Sequence, residues 1–252
     1  MTQHHLAGRS AEELLWFQRR RVLQAAAAWT SLGGFAAAQA QQRSNVVEFM
    51  GDVLVNGSRL QAQQSIQTGD VLQTGPRSQL VFVIGNAAFK VRQNTRLVAE
   101  RGSTLNAVSI LRLLTGAVAS VWGKGGRRQI YTPTLTAGIR GTGVYTEVFP
   151  EQDARSYFCN CYGTVDVAAG ADTVRSQSSY HQAFWGEAQP KNGRTLTAAG
   201  AINHSDEELE FLARLVGQQT AWQTMGKKGV KDGKGYMEEQ PGNMNPADML
   251  GK

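Results

Sequence analysis

Leu80-Val81-Phe82-Val83-Ile84-Gly85-Asn86-Ala87-Ala88-Phe89-Lys90-Val91 carries the chemistry of two strands and the turn between them. β-Branched and aromatic residues favour the pleated surface, and Gly85-Asn86 supplies the reversal. Side chains alternate across a strand, so Leu80, Phe82 and Ile84 share one face and Val81 and Val83 the other. Working outward, the same grammar repeats. Val46-Val47-Glu48-Phe49-Met50 and Val53-Leu54-Val55 precede it, and Asn56-Gly57 gives a hairpin signal. Arg96-Leu97-Val98-Ala99, Leu111-Arg112-Leu113-Leu114, Val118-Ala119-Ser120-Val121-Trp122, Gln129-Ile130-Tyr131-Thr132, Val144-Tyr145-Thr146-Glu147-Val148 and Thr164-Val165-Asp166-Val167 follow. Short strands at intervals of roughly 8–12 residues predict an all-β domain over 46–168, an antiparallel sandwich, roll or short solenoid. Alternation such as Phe89-x-Val91 predicts one buried and one wet face.

The flanks differ. Arg19-Arg20-Arg21-Val22-Leu23 precedes a mildly apolar stretch, Ala25 to Ala38, that ends in Ala38-Gln39-Ala40. A basic head, a short apolar stretch and a small-x-small site predict a cleavable export signal over 1–40. The paired arginines resemble a twin-arginine signal, with Gln18 and Gln24 as departures. Export would place the chain in the periplasm or beyond it, and 252 less 40 leaves 212 residues. The net charge of +6 falls to +4, because the leader holds Arg9, Arg19, Arg20 and Arg21 against Glu12 and Glu13. That balance gives little support to nucleic-acid binding. No apolar run reaches the ~20 residues of a spanning helix, so no transmembrane segment is expected after cleavage.

Past the strands, 169–202 is expected as an extension packing on the β domain. At Ser205-Asp206-Glu207-Glu208 the period changes: Ser205 suits an N-cap, Glu208 the fourth position of a capping box. Leu209, Leu212, Leu215 and Val216 then recur at helical spacing. An amphipathic helix is predicted over 203–224, and the Gly- and Lys-rich remainder, 225–252, reads as a disordered tail.

The ordered set of turn and strand motifs resembles the FecR domain. It comprises Gly51-Asp52-Val53-Leu54-Val55-Asn56-Gly57, Ile66-Gln67-Thr68-Gly69-Asp70-Val71-Leu72-Gln73-Thr74-Gly75, Leu113-Leu114-Thr115-Gly116-Ala117-Val118, Ile139-Arg140-Gly141-Thr142 and Cys161-Tyr162-Gly163-Thr164-Val165. The resemblance implies an exported, β-rich, non-catalytic binding or sensing module, with an envelope protein or small ligand as partner. The family's founding members regulate iron-uptake sigma factors through a cytoplasmic segment and a membrane helix. This sequence shows neither, which weakens direct sigma-factor control. Gly69-Asp70 and Gly75 are expected where strands reverse, Gly141, Thr142 and Gly163 as structural positions of the motif, and Arg140 as a partly buried guanidinium satisfying loop carbonyls or as a ligand contact.

Phe158-Cys159-Asn160-Cys161-Tyr162-Gly163 could carry chemistry. In a strand, Cys159 and Cys161 face one way, with Cα atoms ~6.5–7 Å apart, the outer limit for a disulfide. Two thiols on one face, joined by the imidazole of His181, could bind zinc or copper or act as a redox pair. Inert buried thiols and a strained disulfide are the alternatives. Three ligands leave a fourth position for water or another side chain, an open site.

Enzyme chemistry finds little footing. There is no Gly-x-Ser-x-Gly, phosphate loop or His-Glu-x-x-His. Gly123-Lys124-Gly125-Gly126-Arg127-Arg128 reads as a basic hairpin, and Glu147, Glu151 and Asp153 as solvated loop acids. Three functions remain: a FecR-like envelope binding module, a metal- or redox-handling protein, or a structural module of a surface assembly.

Overall fold

The computed structural model describes residues 44–102 and 107–226. The expected export signal over 1–40 and residues 227–252 of the expected tail lie outside them. The body is all-β, two sheets and a helical layer.

Gln79–Ile84 and Ala87–Val91 form β5 and β6, paired antiparallel with Phe82 opposite Phe89. Ahead of them lie β1 (Val46–Met50), β2 (Val53–Val55), β3 (Ser58–Arg59) and β4 (Val71–Thr74), and after them β7 (Arg96–Arg101). Asn56 and Gly57, both at positive φ (52° and 81°), close the β2–β3 hairpin as the sequence predicts. Two 15-residue strands, β8 (Val108–Trp122) and β12 (Arg155–Ala169), organise the rest. Between them run β9 (Arg128–Tyr131), β10 (Thr136–Ile139) and β11 (Gly143–Phe149). β13 (Asp172–Ser178), β14 (Gln182–Lys191) and β15 (Arg194–Ala199) follow. The segment 169–202 is therefore woven into the sheets: β13 and β14 both pair with β12.

Each long strand belongs to both sheets. β8 pairs with β7 up to Thr115, then with β11 from Gly116. β12 pairs with β11 and β14 up to Tyr162, then with β13 from Gly163. The change of sheet falls at Gly116 (φ 74°) and Gly163 (φ 100°), where a residue without Cβ takes a bend others resist. A Cβ on Gly163 would come within 2.6 Å of Thr142 Cγ2 and 3.0 Å of the Gly141 carbonyl oxygen. Gly141, Thr142 and Gly163, distant in sequence, thus meet at one corner.

Several expectations need correction. β8 and β9 pair parallel, Ile110 opposite Gln129, so Gly123–Arg128 is a crossover rather than a hairpin. Arg128 anchors it by donating to the Gly123 carbonyl at 2.9 Å. Arg140 is not partly buried among carbonyls: its side chain is exposed and binds the Asp166 carboxylate at 2.8 Å. Glu147 lies on β11, accepting from Tyr145 Oη and Asn203 Nδ2, both at 2.9 Å. Asp70 is a turn-ordering group, accepting from the Gln67 N–H and the Asn56 amide, with Gly69 at φ 102° beside it.

Leu80, Phe82, Phe89, Leu111, Trp122, Phe158 and Phe184 pack between the sheets. The opposite face of the β5–β6–β8–β11–β12–β14 sheet is buried too. Val81, Ala119, Tyr145, Tyr157, Cys159 and Cys161 lie there beneath Leu209, Leu212 and Trp222. Val81 is therefore fully buried where the alternation predicts a wet face. The cover is α1 (Asp206–Leu215) and α2 (Ala221–Met225), two short helices in place of one over 203–224. Thr220 caps α2, and Gly217 (φ 66°) lies in the break.

Ser205 caps α1 as expected, accepting from the Glu208 N–H. The Glu208 carboxylate does not close the capping box. It pairs with Lys90 Nζ at 3.0 Å and Arg92 Nη2 at 2.7 Å, tying α1 to β6 and the residue after it. Burial opposes its ionisation, yet the two cations hold it below its ordinary value of 4.5. A depressed folded value means the pair stabilises above pH 4.5 and fades as pH falls below it. Glu208→Gln should therefore lower stability near pH 7 but much less near about pH 3.5, as denaturant titrations at the two pH values would show. An equal loss at both would mean the pair contributes nothing.

Candidate metal centre

Cys159 and Cys161 sit on the helix-covered face of β12, where Cys159 lies opposite Tyr145 of β11 and Ala183 of β14. Both are free and completely buried. Their sulfurs are 3.8 Å apart, far beyond the ~2.05 Å of a disulfide. The sequence-level expectation of two same-face thiols is met.

His181 arrives from the link between β13 and β14. It sits at φ 39°, an uncommon conformation away from glycine, and its N–H donates to the Cys161 carbonyl at 3.0 Å. That backbone bond brings the imidazole back over β12, with Nδ1 3.6 Å from Cys159 Sγ.

His204, just before the α1 cap, is the residue the sequence reading missed. Its Nε2 lies 3.5 Å from Cys161 Sγ and 3.0 Å from His181 Nδ1. The ligand atoms of Cys159, Cys161, His181 and His204 all fall within 4.8 Å of one another. With first-shell bonds of ~2.0–2.3 Å, ligands on one ion sit ~3.3–3.8 Å apart, which the four measured separations approach. With His204 as a fourth ligand in a buried setting, an ion here would sit in a closed site, where three ligands would have left a position open.

The remote ring nitrogens are also held. His181 Nε2 donates to Asp206 Oδ1 at 3.1 Å, and His204 Nδ1 donates to the Ile202 carbonyl at 2.6 Å. These bonds turn His181 Nδ1 and His204 Nε2, each with its lone pair, toward the thiols. Trp222 stacks on His181 at 5.3 Å and Tyr145 on His204 at 4.7 Å, so neither ring is free to swing away. The side chains of His181 and Asp206 have no solvent exposure.

Two imidazole lone pairs 3.0 Å apart repel unless a cation lies between them. Without metal, a proton fills that role. Burial alone would lower the His181 value, but Asp206 and Cys159 push it up to about 9. Burial likewise opposes ionisation of Cys159, yet the hydrogen bond from Cys161 and the neighbouring imidazoles hold it well below the usual thiol range. Cys161 goes the other way, pushed up by burial and by the adjacent sulfur. Cys ligation needs thiolates and His ligation a neutral nitrogen, so a divalent ion entering the centre would release protons from it.

Orientation of His181 by Asp206 has a measurable consequence. Asp206→Asn should weaken metal affinity by about 10–100-fold, measured by competition with a chromogenic chelator. Unchanged affinity would mean that Asp206 is only a helix-start residue.

A cavity of about 870 Å³ adjoins the centre. Lys90, Arg92, Tyr145 and Glu147 line its strand side, and His204 and Glu208 its helix side.

No family model matches the chain, and no curated protein does. Two solved structures match, each described as a "putative anti-sigma factor" from Parabacteroides distasonis ATCC 8503. One is 11% identical over 58% of this chain and 64% of that one; the other is 7% identical over 66% and 82%. The TM-score is 0.42 in each, a likeness that assigns neither family nor function.

Proposed function

We propose that this protein is a non-catalytic, exported binding or sensing module of the cell envelope, FecR-like in kind, built around a Cys2His2 metal centre. The observation that carries the metal reading is the convergence of four ligand atoms within 4.8 Å, with both remote imidazole nitrogens satisfied. Two thiolates and two imidazoles suit a borderline ion, zinc foremost and copper second. Four protein ligands leave no coordination position for a substrate, so the ion organises structure rather than reacting. The neighbouring cavity, lined by Lys90, Arg92, Glu147 and Glu208, supplies a surface for a ligand or partner. The FecR-like part rests on the ordered motifs, two of which meet at the Gly141–Thr142–Gly163 corner.

Metal analysis of protein purified without a metal-affinity step tests the centre. About one zinc per chain is expected, falling to near zero in Cys159→Ser. Copper in its place would revise the ion. Equal metal content in the two proteins would reduce the thiols to ordinary core.

A further inference from the structure

We infer that the metal centre is also a latch, whose occupancy decides whether segment 203–225 lies on the sheet. The inference rests on the metal reading above and adds a consequence to it. Three of the four ligands belong to the strand body: Cys159 and Cys161 on β12, and His181 between β13 and β14. The fourth, His204, belongs to the segment, as does Asp206, which orients His181. A bound ion therefore joins body and segment directly.

The segment has little order of its own to fall back on. α1 has ten residues and α2 five, both below the ~12–15 at which an isolated helix becomes even marginal in water. Their order comes from docking. Apart from the centre, that docking includes Leu209, Leu212, Ala213 and Trp222 in the sheet face, the Glu208 pairs with Lys90 and Arg92, and the Asn203 and Asp206 bonds to Glu147 and Tyr180.

The body, by contrast, keeps its main core without the segment. Phe82, Phe89, Trp122, Phe158 and Phe184 lie between the sheets, in a cluster distinct from the one beneath the helices. The face beneath the helices is rich in Tyr145, Tyr157 and Tyr162, each with a hydroxyl, and in the two thiols. Such a face tolerates water better than one of Leu and Phe. Release of the segment would also remove one wall of the cavity, since Asn203, His204, Ser205 and Glu208 line it. Metal occupancy would thereby change the surface presented to a partner.

Hydrogen exchange on the full chain tests this, with and without a zinc chelator at constant pH, alongside metal content. The α1 amides should exchange at least about tenfold faster in the chelated protein and recover with zinc chloride, while β5 and β6 stay protected. His204→Gln keeps the three body ligands, so its α1 amides should stay unprotected even at zinc concentrations that saturate the variant. Unchanged α1 protection after complete metal removal would overturn the latch and leave the metal centre standing, as would protected α1 amides in His204→Gln. Loss of protection throughout the body would also overturn it, because the ion would then hold the whole fold. Absence of bound metal in the wild type would overturn the metal reading itself.

Discussion

Chelation of the bound ion should lower the melting temperature by about 8–16 °C, and Cys161→Ser should abolish that response. The size follows from linkage. A ligand present at about a thousand times its dissociation constant and bound only to the native state stabilises by roughly 4 kcal/mol. In a domain of this length each kcal/mol moves the midpoint by about 2–4 °C. Cys161 is an informative ligand because its thiol is fully buried and its sulfur lies 3.5 Å from His204 Nε2 and 3.8 Å from Cys159 Sγ. Serine in its place is close in volume, but it buries a hydroxyl and costs something on its own account. The variant is therefore compared with itself, with and without chelator, so that this cost cancels. A wild-type melting curve that ignores the chelator, in protein shown to hold metal beforehand, would contradict a stabilising role for the ion.

The same centre shows what a sequence can and cannot disclose. Strand alternation suffices to place Cys159 and Cys161 on one face, because i and i+2 neighbours obey a local rule. His181 is reachable by elimination, as one of two histidines beyond the expected export signal. His204 is the other, but the Ser205 cap and the helical period that follows assign its neighbourhood to a helix start, and that reading hides it. The remaining signal was the pairing itself: two cysteines and the two histidines that follow residue 40. What no local rule supplies is the path that returns residue 204 to β12, which depends on β14 pairing with β12 and β15 with β14.

The error about the wet face has the same origin. Period-two alternation tells which residues share a face and says nothing about what later covers it. Val81 and Val83 look like the outer side of β5 until α1 and α2 fold back over that sheet. The glycines are a third case. Gly116 and Gly163 stand out in the sequence only as motif positions, yet both lie inside 15-residue strands and serve as the bends by which each strand leaves one sheet for the other. Positive φ is the shared requirement, and sequence discloses the requirement without the architecture it serves.

Phe82→Ala should destabilise the protein by about 3–5 kcal/mol, measured as the shift in denaturant midpoint at constant slope. Phe82 is fully buried on β5, between Leu80 and Ile84 on the same face. Its ring stacks on Phe89 with centroids 4.9 Å apart, and Phe89 in turn meets Trp122 edge-on at 5.0 Å. Truncation removes the transfer term of the ring and leaves a cavity whose walls cannot close, because they are aromatic rings fixed by two sheets. A loss below about 1 kcal/mol would mean that this face of β5 meets solvent and that its register is one residue out. The position also separates the two halves of the body's stability. Phe82 belongs to the core between the sheets, whereas Cys159, Cys161 and Trp222 belong to the cluster on the other side. With no shared partners, the losses from Phe82→Ala and from chelation should add to within about 0.5 kcal/mol. Strong non-additivity would show that the ion braces the inter-sheet core as well, through the sheet that both clusters share.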